Sequence, residues 1–113
     1  MKTNRLLGML GLAARARQLS IGSSLACDAI ARGAYLALTA SDASENTEKR
    51  IRDRSDFYEC KHFRLDCTSG ELAHAIGKSG SVAAVAVNDP NFACAIERLI
   101  TSPDTKQIKQ KDN

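Results

Sequence analysis

Tryptophan is absent, and phenylalanine and tyrosine together fill only 4% of the 113 positions. Domains that grip bases with an array of ring faces, such as recognition-motif sheets and oligonucleotide-binding barrels, need more rings than that. The paired spacing of a structural zinc site is also missing: Cys27, Cys60, Cys67 and Cys94 form no Cys-x-x-Cys. They read as reduced thiols acting as small apolar residues. The grouping of Cys60 and His62 with Cys67 is read the same way, and His74 has no nominated partner. There is no Gly-x-Ser-x-Gly elbow, no phosphate-binding Gly-rich Lys-Ser/Thr loop and no dinucleotide fingerprint. The expectation is a protein that is not an enzyme and carries no cofactor and no metal. No apolar run approaches the roughly 20 residues needed to span a bilayer. Residues 1–8 begin like a signal peptide, but Arg15 and Arg17 interrupt the pattern and the apolar spacing is helical. A first helix, and a cytoplasmic location, are expected instead.

What is present suits one α/β domain. Apolar residues make up 43% of the chain, enough for one core without cross-links. The net charge of +3 is unevenly spread. Residues 1–27 hold four bases and no acids, and residues 49–64 hold six bases against three acids. The stretch 28–48 holds one base against four acids. Two basic segments that met in space would make a face suited to phosphate; kept apart they are solvated helix surfaces.

Periodicity divides the chain into alternating helices and strands. Leu6, Leu7, Leu10, Ala13 and Ala14 form a helical stripe, in which Gly8 and Gly11 permit close packing against a sheet. Leu19–Ile21 is a short strand. Gly22-Ser23-Ser24 opens a second helix, a serine hydroxyl capping its first turn and Leu25, Ala26, Ala29 and Ile30 forming the buried stripe. Gly33 stops it. Residues 35–40 read as a buried strand. Asp42-Ala43-Ser44-Glu45 matches a capped start for a third, mostly polar helix. His62–Leu65 is a strand, and Thr68 with Glu71 forms a second capping box for a helix ended by Gly77. Residues 82–87 are apolar on both faces and predict a central strand. Asp89-Pro90 caps and opens a last helix carrying Phe92, Ala93, Ile96, Leu99 and Ile100. Pro103 closes it. The domain is expected to span 1–103, followed by a polar disordered tail at 104–113.

Four stretches carry a resemblance: 10–16 (Leu-Gly-Leu-Ala-Ala-Arg-Ala), 21–33, 38–47 (Leu-Thr-Ala-Ser-Asp-Ala-Ser-Glu-Asn-Thr), and Ala75-Ile76-Gly77-Lys78 followed by Val85–Val87 and Phe92-Ala93. In order and spacing they resemble the bacterial YlxQ-type branch of the ribosomal protein L-seven-Ae / L-thirty-e superfamily, from about Arg5 to about Ile100. The resemblance implies a single-domain α-β-α sandwich with a four-stranded mixed sheet between helices. It also implies binding of structured RNA, typically a kink-turn or a related bulged stem. Superfamily members that bind kink-turns read Gly-x-Asn-Glu-x-x-Lys before the second helix. Here Gly22 is kept, but Ser24, Leu25 and Asp28 occupy the Asn, Glu and Lys positions. Leu25 cannot hydrogen-bond a base edge, and Asp28 repels phosphate.

The RNA-binding candidates are therefore Gly22, Ser23 and Ser24, at a helix N-terminus whose amides suit phosphate. Lys78 and Ser79 belong to a flexible loop corresponding to the superfamily's second RNA-contacting loop. Asn46 and Lys49 sit near the start of the third helix. Arg15 and Arg17 would flank the same face and add phosphate contacts. The remaining bases of the third helix, Arg50, Arg52 and Arg54, fan around it and read as a solvated face. The expected partner of this monomer is ribosomal RNA or another kink-turn-like stem, with ribosomal, transcription or translation proteins as further candidates and no membrane. The competing reading is a protein-interaction module that kept the fold and lost the RNA code, with Leu25 as an apolar spot on the old RNA face.

Overall fold

A computed structural model describes residues 2–101 of the chain. Helices and strands alternate: α1 (Lys2–Arg15), β1 (Leu19–Ile21), α2 (Ser23–Ala31), β2 (Leu36–Thr39), α3 (Glu45–Phe57), β3 (Lys61–Arg64), α4 (Ser69–Ala75), β4 (Ala84–Val87) and α5 (Pro90–Thr101). The four-stranded sheet has the order β1-β4-β2-β3. β4 pairs antiparallel with β1 on one side and with β2 on the other, while β2 and β3 are parallel. The sheet is therefore mixed, and β4 is central, as its apolar run predicts. Helices cover both faces, giving the expected sandwich.

The two faces differ in side-chain size. Leu36 and Leu38 of β2 and Val85 and Val87 of β4 point to one side, where they join Leu10 of α1, Leu72 of α4 and Ile96 of α5. Ala37, Ala84 and Ala86 point to the other, against Ala26, Cys27, Ala29 and Ile30 of α2 and Ile51 of α3. The first face supplies most of the hydrophobic stabilisation, about 1.5–3 kcal/mol for each large aliphatic side chain removed from water. The second is short-reaching, so α2 and α3 are drawn close to the sheet.

Local signals for helix starts hold in two of four cases. Thr68 and Glu71 form the full reciprocal capping box of α4, with both hydrogen bonds in place. Asp89 accepts from the Phe92 amide at 2.9 Å, with Pro90 as the first residue of α5. The start of α3 differs: Ser44 is the cap and accepts from the Thr47 amide, leaving Asp42 for another partner. The start of α2 differs too, because Gly22 occupies the cap position and offers no side-chain acceptor, and Ser23 is already helical.

Two packing expectations need correction. Leu25 does not join the buried stripe of α2: it is 56% exposed, and Cys27 takes the inward flank. The helix turns about 100° per residue, so a stripe centred on Ala26 and Ile30 carries Leu25 off the sheet. Gly11 does make a close approach, but to α4 rather than to the sheet. A Cβ there would lie 2.7 Å from the backbone oxygen of Ala75. Strand edges also move slightly: Tyr35 precedes β2 and is exposed, and Val82 and Ala83 precede β4. The stop expected at Pro103 and the tail at 104–113 lie outside the described residues.

The two glycines of α1 make a test with opposite signs. Gly8 has nothing within 4 Å of an added Cβ. Gly8→Ala should stabilise by about 0.5–1 kcal/mol through helix propensity. Gly11→Ala should destabilise by about 1–3 kcal/mol, because a backbone oxygen cannot rotate away. Urea denaturation of both variants reads the difference; equal stabilisation would mean that α1 and α4 do not pack this closely.

Candidate nucleic-acid interface

Strand directions decide which loops meet. β1, β2 and β3 run one way and β4 the other, so the ends of the first three lie beside the start of β4. Four connections gather there: the turn at Gly22, the β2–α3 loop, the β3–α4 loop and the α4–β4 loop. Backbone bonds tie them together. The Gly22 amide donates to the Ala84 carbonyl at 2.9 Å, and the Ala40 amide to that of Ala83 at 2.8 Å. The Ser41 amide donates to the Cys67 carbonyl at 2.8 Å, and the Val82 amide to that of Ser69 at 3.0 Å.

Side chains fix the β2–α3 loop from two directions. Asp42 accepts from the Ser69 amide at 2.8 Å and from its hydroxyl at 3.1 Å, so this carboxylate serves the first turn of α4 instead of capping its own helix. Arg64, at the end of β3, donates from Nη2 to the Ser41 carbonyl at 2.6 Å. Its Nε lies 3.6 Å from Glu48 Oε1, too long for a hydrogen bond, and that oxygen has no other partner. The contact is an ion pair only.

Gly22 has φ 100° and ψ 153°, a region open to glycine and strained for other residues. Nothing lies within 4 Å of an added Cβ there, so the backbone, not the space, requires glycine. This turn aims the start of α2 out of the loop cluster. Among α2 to α5 only this helix lacks a side-chain cap. Its first-turn amides therefore have no side-chain acceptor, and they lie beside the exposed Ser24 and the half-buried Ser23. An N-terminus of this kind favours an anion, through both its amides and its partial positive charge.

The other predicted positions divide. Lys78 and Ser79 are exposed on the α4–β4 loop, bracketed by Gly77 and Gly80, whose φ values are 81° and 80°. That loop runs into Ala83 and Ala84, the partners of Ala40 and Gly22, so Lys78 and Ser79 belong to the same end of the sheet as Ser23 and Ser24. Asn46 is exposed on the first turn of α3 at this end. Lys49 is one turn further on and is engaged with Asp53 at 2.7 Å. The hydrogen bond from Lys49 holds the Asp53 carboxyl below its ordinary value. Such an exposed pair yields readily to a phosphate.

Arg15 and Arg17 are not brought to this face. Arg17 has φ 61° and closes the turn after α1, with its amide donating to the Ala14 carbonyl. β1 then begins at Leu19, paired with Val87 at the opposite end of the sheet. The length of β1, roughly 10 Å, separates these arginines from Gly22. Arg64 takes a place near the loops that the sequence reading did not assign, since nothing local pairs it with Ser41.

Relatives agree with this architecture. The chain is 36% identical over 95 residues to RNA-binding protein YlxQ of Enterococcus faecium, spanning 83% of this chain and 89% of the relative. It is 37% identical over 93 residues to RNA-binding protein YlxQ of Bacillus subtilis (strain 168), spanning 81% and 91%. The chain belongs to the YlxQ family. No protein-family model matches it. A solved structure of a protein with unknown function from Bacillus halodurans C superposes with a TM-score of 0.79 at 33% identity, covering 84% of this chain and 95% of that one. The Giardia lamblia 15.5kD RNA binding protein superposes with a TM-score of 0.70 at 17% identity, covering 87% and 89%. That likeness extends the fold, and only the fold, well beyond the YlxQ family.

The thiols stand apart from the loops' chemistry. All four cysteines are free thiols: Cys27, Cys60 and Cys67 are buried as small apolar residues, while Cys94 on α5 is exposed. Burial pushes the Cys60 and Cys67 thiols up from their ordinary value. Among the described residues no three His, Cys, Asp or Glu side chains converge as metal ligands.

Two outcomes follow. A thiol reagent at neutral pH should titrate Cys94 rapidly and the three buried cysteines only on unfolding, because they are covered and, at Cys60 and Cys67, because burial also leaves less thiolate. Rapid reaction of more than one thiol in the native protein would contradict this burial. Asp42→Ala should cost about 1 kcal/mol by removing the acceptor of the Ser69 amide and hydroxyl while the Thr68–Glu71 capping box remains. Hydrogen exchange should then quicken at the Ser69 amide; unchanged protection would remove Asp42 from that role.

Proposed function

We propose that this chain is a small non-catalytic RNA-binding protein of the cytoplasm, associated with ribosomes or translation, that holds structured RNA at the loop end of its sheet. Family membership carries the reading: relatives at 36% and 37% identity, aligned over most of their length, are named RNA-binding proteins. The open start of α2 supports it, with Ser23, Ser24, Lys78, Ser79 and Asn46 gathered around that end. Four thiols without a disulfide suit a reducing compartment.

The ligand class is a kink-turn-like or otherwise bulged stem. Amides and hydroxyls at the start of α2 take a phosphate, Lys78 takes a second, and the glycine-flanked loop adapts to a displaced nucleotide. The Asn-Glu-Lys set of kink-turn binders is replaced by Ser24, Leu25 and Asp28, so shape and backbone contribute more here than base edges do. Arg15 and Arg17 join only if the RNA extends past the far end of β1.

A titration of a kink-turn RNA and a stem with its bulge repaired, at several salt concentrations, tests this. The kink-turn should bind more tightly, and affinity should fall steeply with salt. Lys78→Ala should weaken both RNAs alike and reduce the salt slope by about one. Asp28→Lys should strengthen both, since it replaces an exposed acid by a base on the helix behind the site. Equal, salt-insensitive binding of the two RNAs, or none, would reject the reading.

One observation favours a second reading. Leu25 is 56% exposed on the first turn of α2, next to Ser24. A protein partner would bury it, and such binding would persist at high salt and fall on Leu25→Ser.

A further inference from the structure

The aromatic residues of this chain are few, yet Phe57 and Tyr58 are wasted as core. Phe57 is 78% exposed and Tyr58 43% exposed at the end of α3. Their rings contact edge to face, with centroids 4.9 Å apart and planes at 77°. Each ring thereby restricts the other, and a ring face is held out to solvent. Along the helix, Arg50, Arg54 and Phe57 follow at spacings of four and three, which places them on one stripe. With Asp53 and Tyr58 they line an open groove of about 410 Å³.

Charge on this stripe is not balanced from within. Asp53 is engaged by Lys49 at 2.7 Å, and Asp56 lies 3.3 Å from His62 Nε2. Among the described residues Arg50, Arg52 and Arg54 have no ion-pair partner. Exposed ring faces beside uncompensated guanidinium groups match an unstacked nucleotide: the base stacks on a ring and the phosphates meet the arginines. A protein partner fits less well, since the apolar surface is limited to two rings within a charged border.

We propose that Phe57 and Tyr58, with Arg50 and Arg54, form a stacking platform for an unpaired nucleotide of the bound RNA, separate from the loop face. The proposal rests on the RNA-binding reading and extends it along α3. Asn46 and Phe57 stand roughly 16 Å apart on the helix, at about 1.5 Å per residue. A stem held at the loops can therefore lay its backbone along Lys49, Arg50 and Arg54 and place a displaced base on the rings.

The test uses the full chain and two labelled hairpins, one with a uridine bulge and one with the bulge deleted. Phe57→Ala should weaken the bulged hairpin about tenfold and leave the other within about twofold. Phe57→Trp should keep the affinity and place the only tryptophan of the chain at the platform; its fluorescence should be quenched by the bulged hairpin. Arg50→Ala with Arg54→Ala should weaken both hairpins and reduce the salt slope by about two. If the protein binds the bulged hairpin but Phe57→Ala binds as tightly and Phe57→Trp is not quenched, the platform is overturned and RNA binding at the loops stands. If neither hairpin binds, both readings fall. If the free protein sediments as a dimer that Phe57→Ala dissociates, the rings join two copies of this chain and the platform is overturned.

Discussion

The alternation of small and large side chains on β4 is the constraint from which the rest of the architecture follows. Val85 and Val87 face three helices, while Ala84 and Ala86 face two. β4 is flanked on both sides by antiparallel partners, so a register slip of one residue would exchange these faces. Valines would then push α2 and α3 outward, and alanines would leave voids beneath α1, α4 and α5. Because α2 is held close by alanines, its start emerges beside the first residues of β4, at the place where the other loops converge. The candidate interface is thus a consequence of sheet packing, and Gly22 only sets its final angle.

Polar contacts complete what packing begins. The loop end contains several acids, which on their own would repel phosphate. Asp42 spends its charge on the start of α4, and Glu48 faces Arg64. These two acids are engaged by loop partners, while Lys78 is exposed on the neighbouring loop. Of the acids in residues 28–48, Asp42 and Glu48 are engaged in this way, while Asp28 and Glu45 stay exposed. Composition counts charges, whereas a ligand meets only those that the fold leaves uncompensated.

Much of the fold was legible because its signals are local. The capping box of Thr68 and Glu71 and the Asp89-Pro90 start can be read within a few residues, and helical spacing located the stripes of α1 and α5. What was not legible involves partners distant in sequence. Asp42 and Ser44 are both good caps, and the choice falls on Ser44 because Asp42 is taken by Ser69, 27 positions away. The close approach of Gly11 depends on where α4 ends, and the placement of Arg64 on Ser41, 23 positions away. Leu25 was misplaced by one step of the helical wheel, an error that periodicity over a nine-residue helix cannot resolve. Ser23, Ser24, Lys78 and Ser79 share one end of the sheet, whereas Arg15 and Arg17 are separated from it by strand direction, which no local pattern encodes.

These features bear on how such a face can bind RNA with a net charge of only +3. Long-range attraction is weak at that charge, and Lys49 must first leave Asp53. Affinity then has to come from groups positioned in advance. The amides of α2 are fixed by the helix, the Gly22 turn is held by its bond to Ala84, and the β2–α3 loop is clamped by Asp42 and Arg64. Groups ordered before binding lose little entropy on contact. The α4–β4 loop presents Lys78 and Ser79 between two glycines of positive φ. On the function proposed above, an anion site at the start of α2 beside the glycine-flanked loop would discriminate by the shape of a backbone more than by base identity, with Ser24, Leu25 and Asp28 at the Asn, Glu and Lys positions.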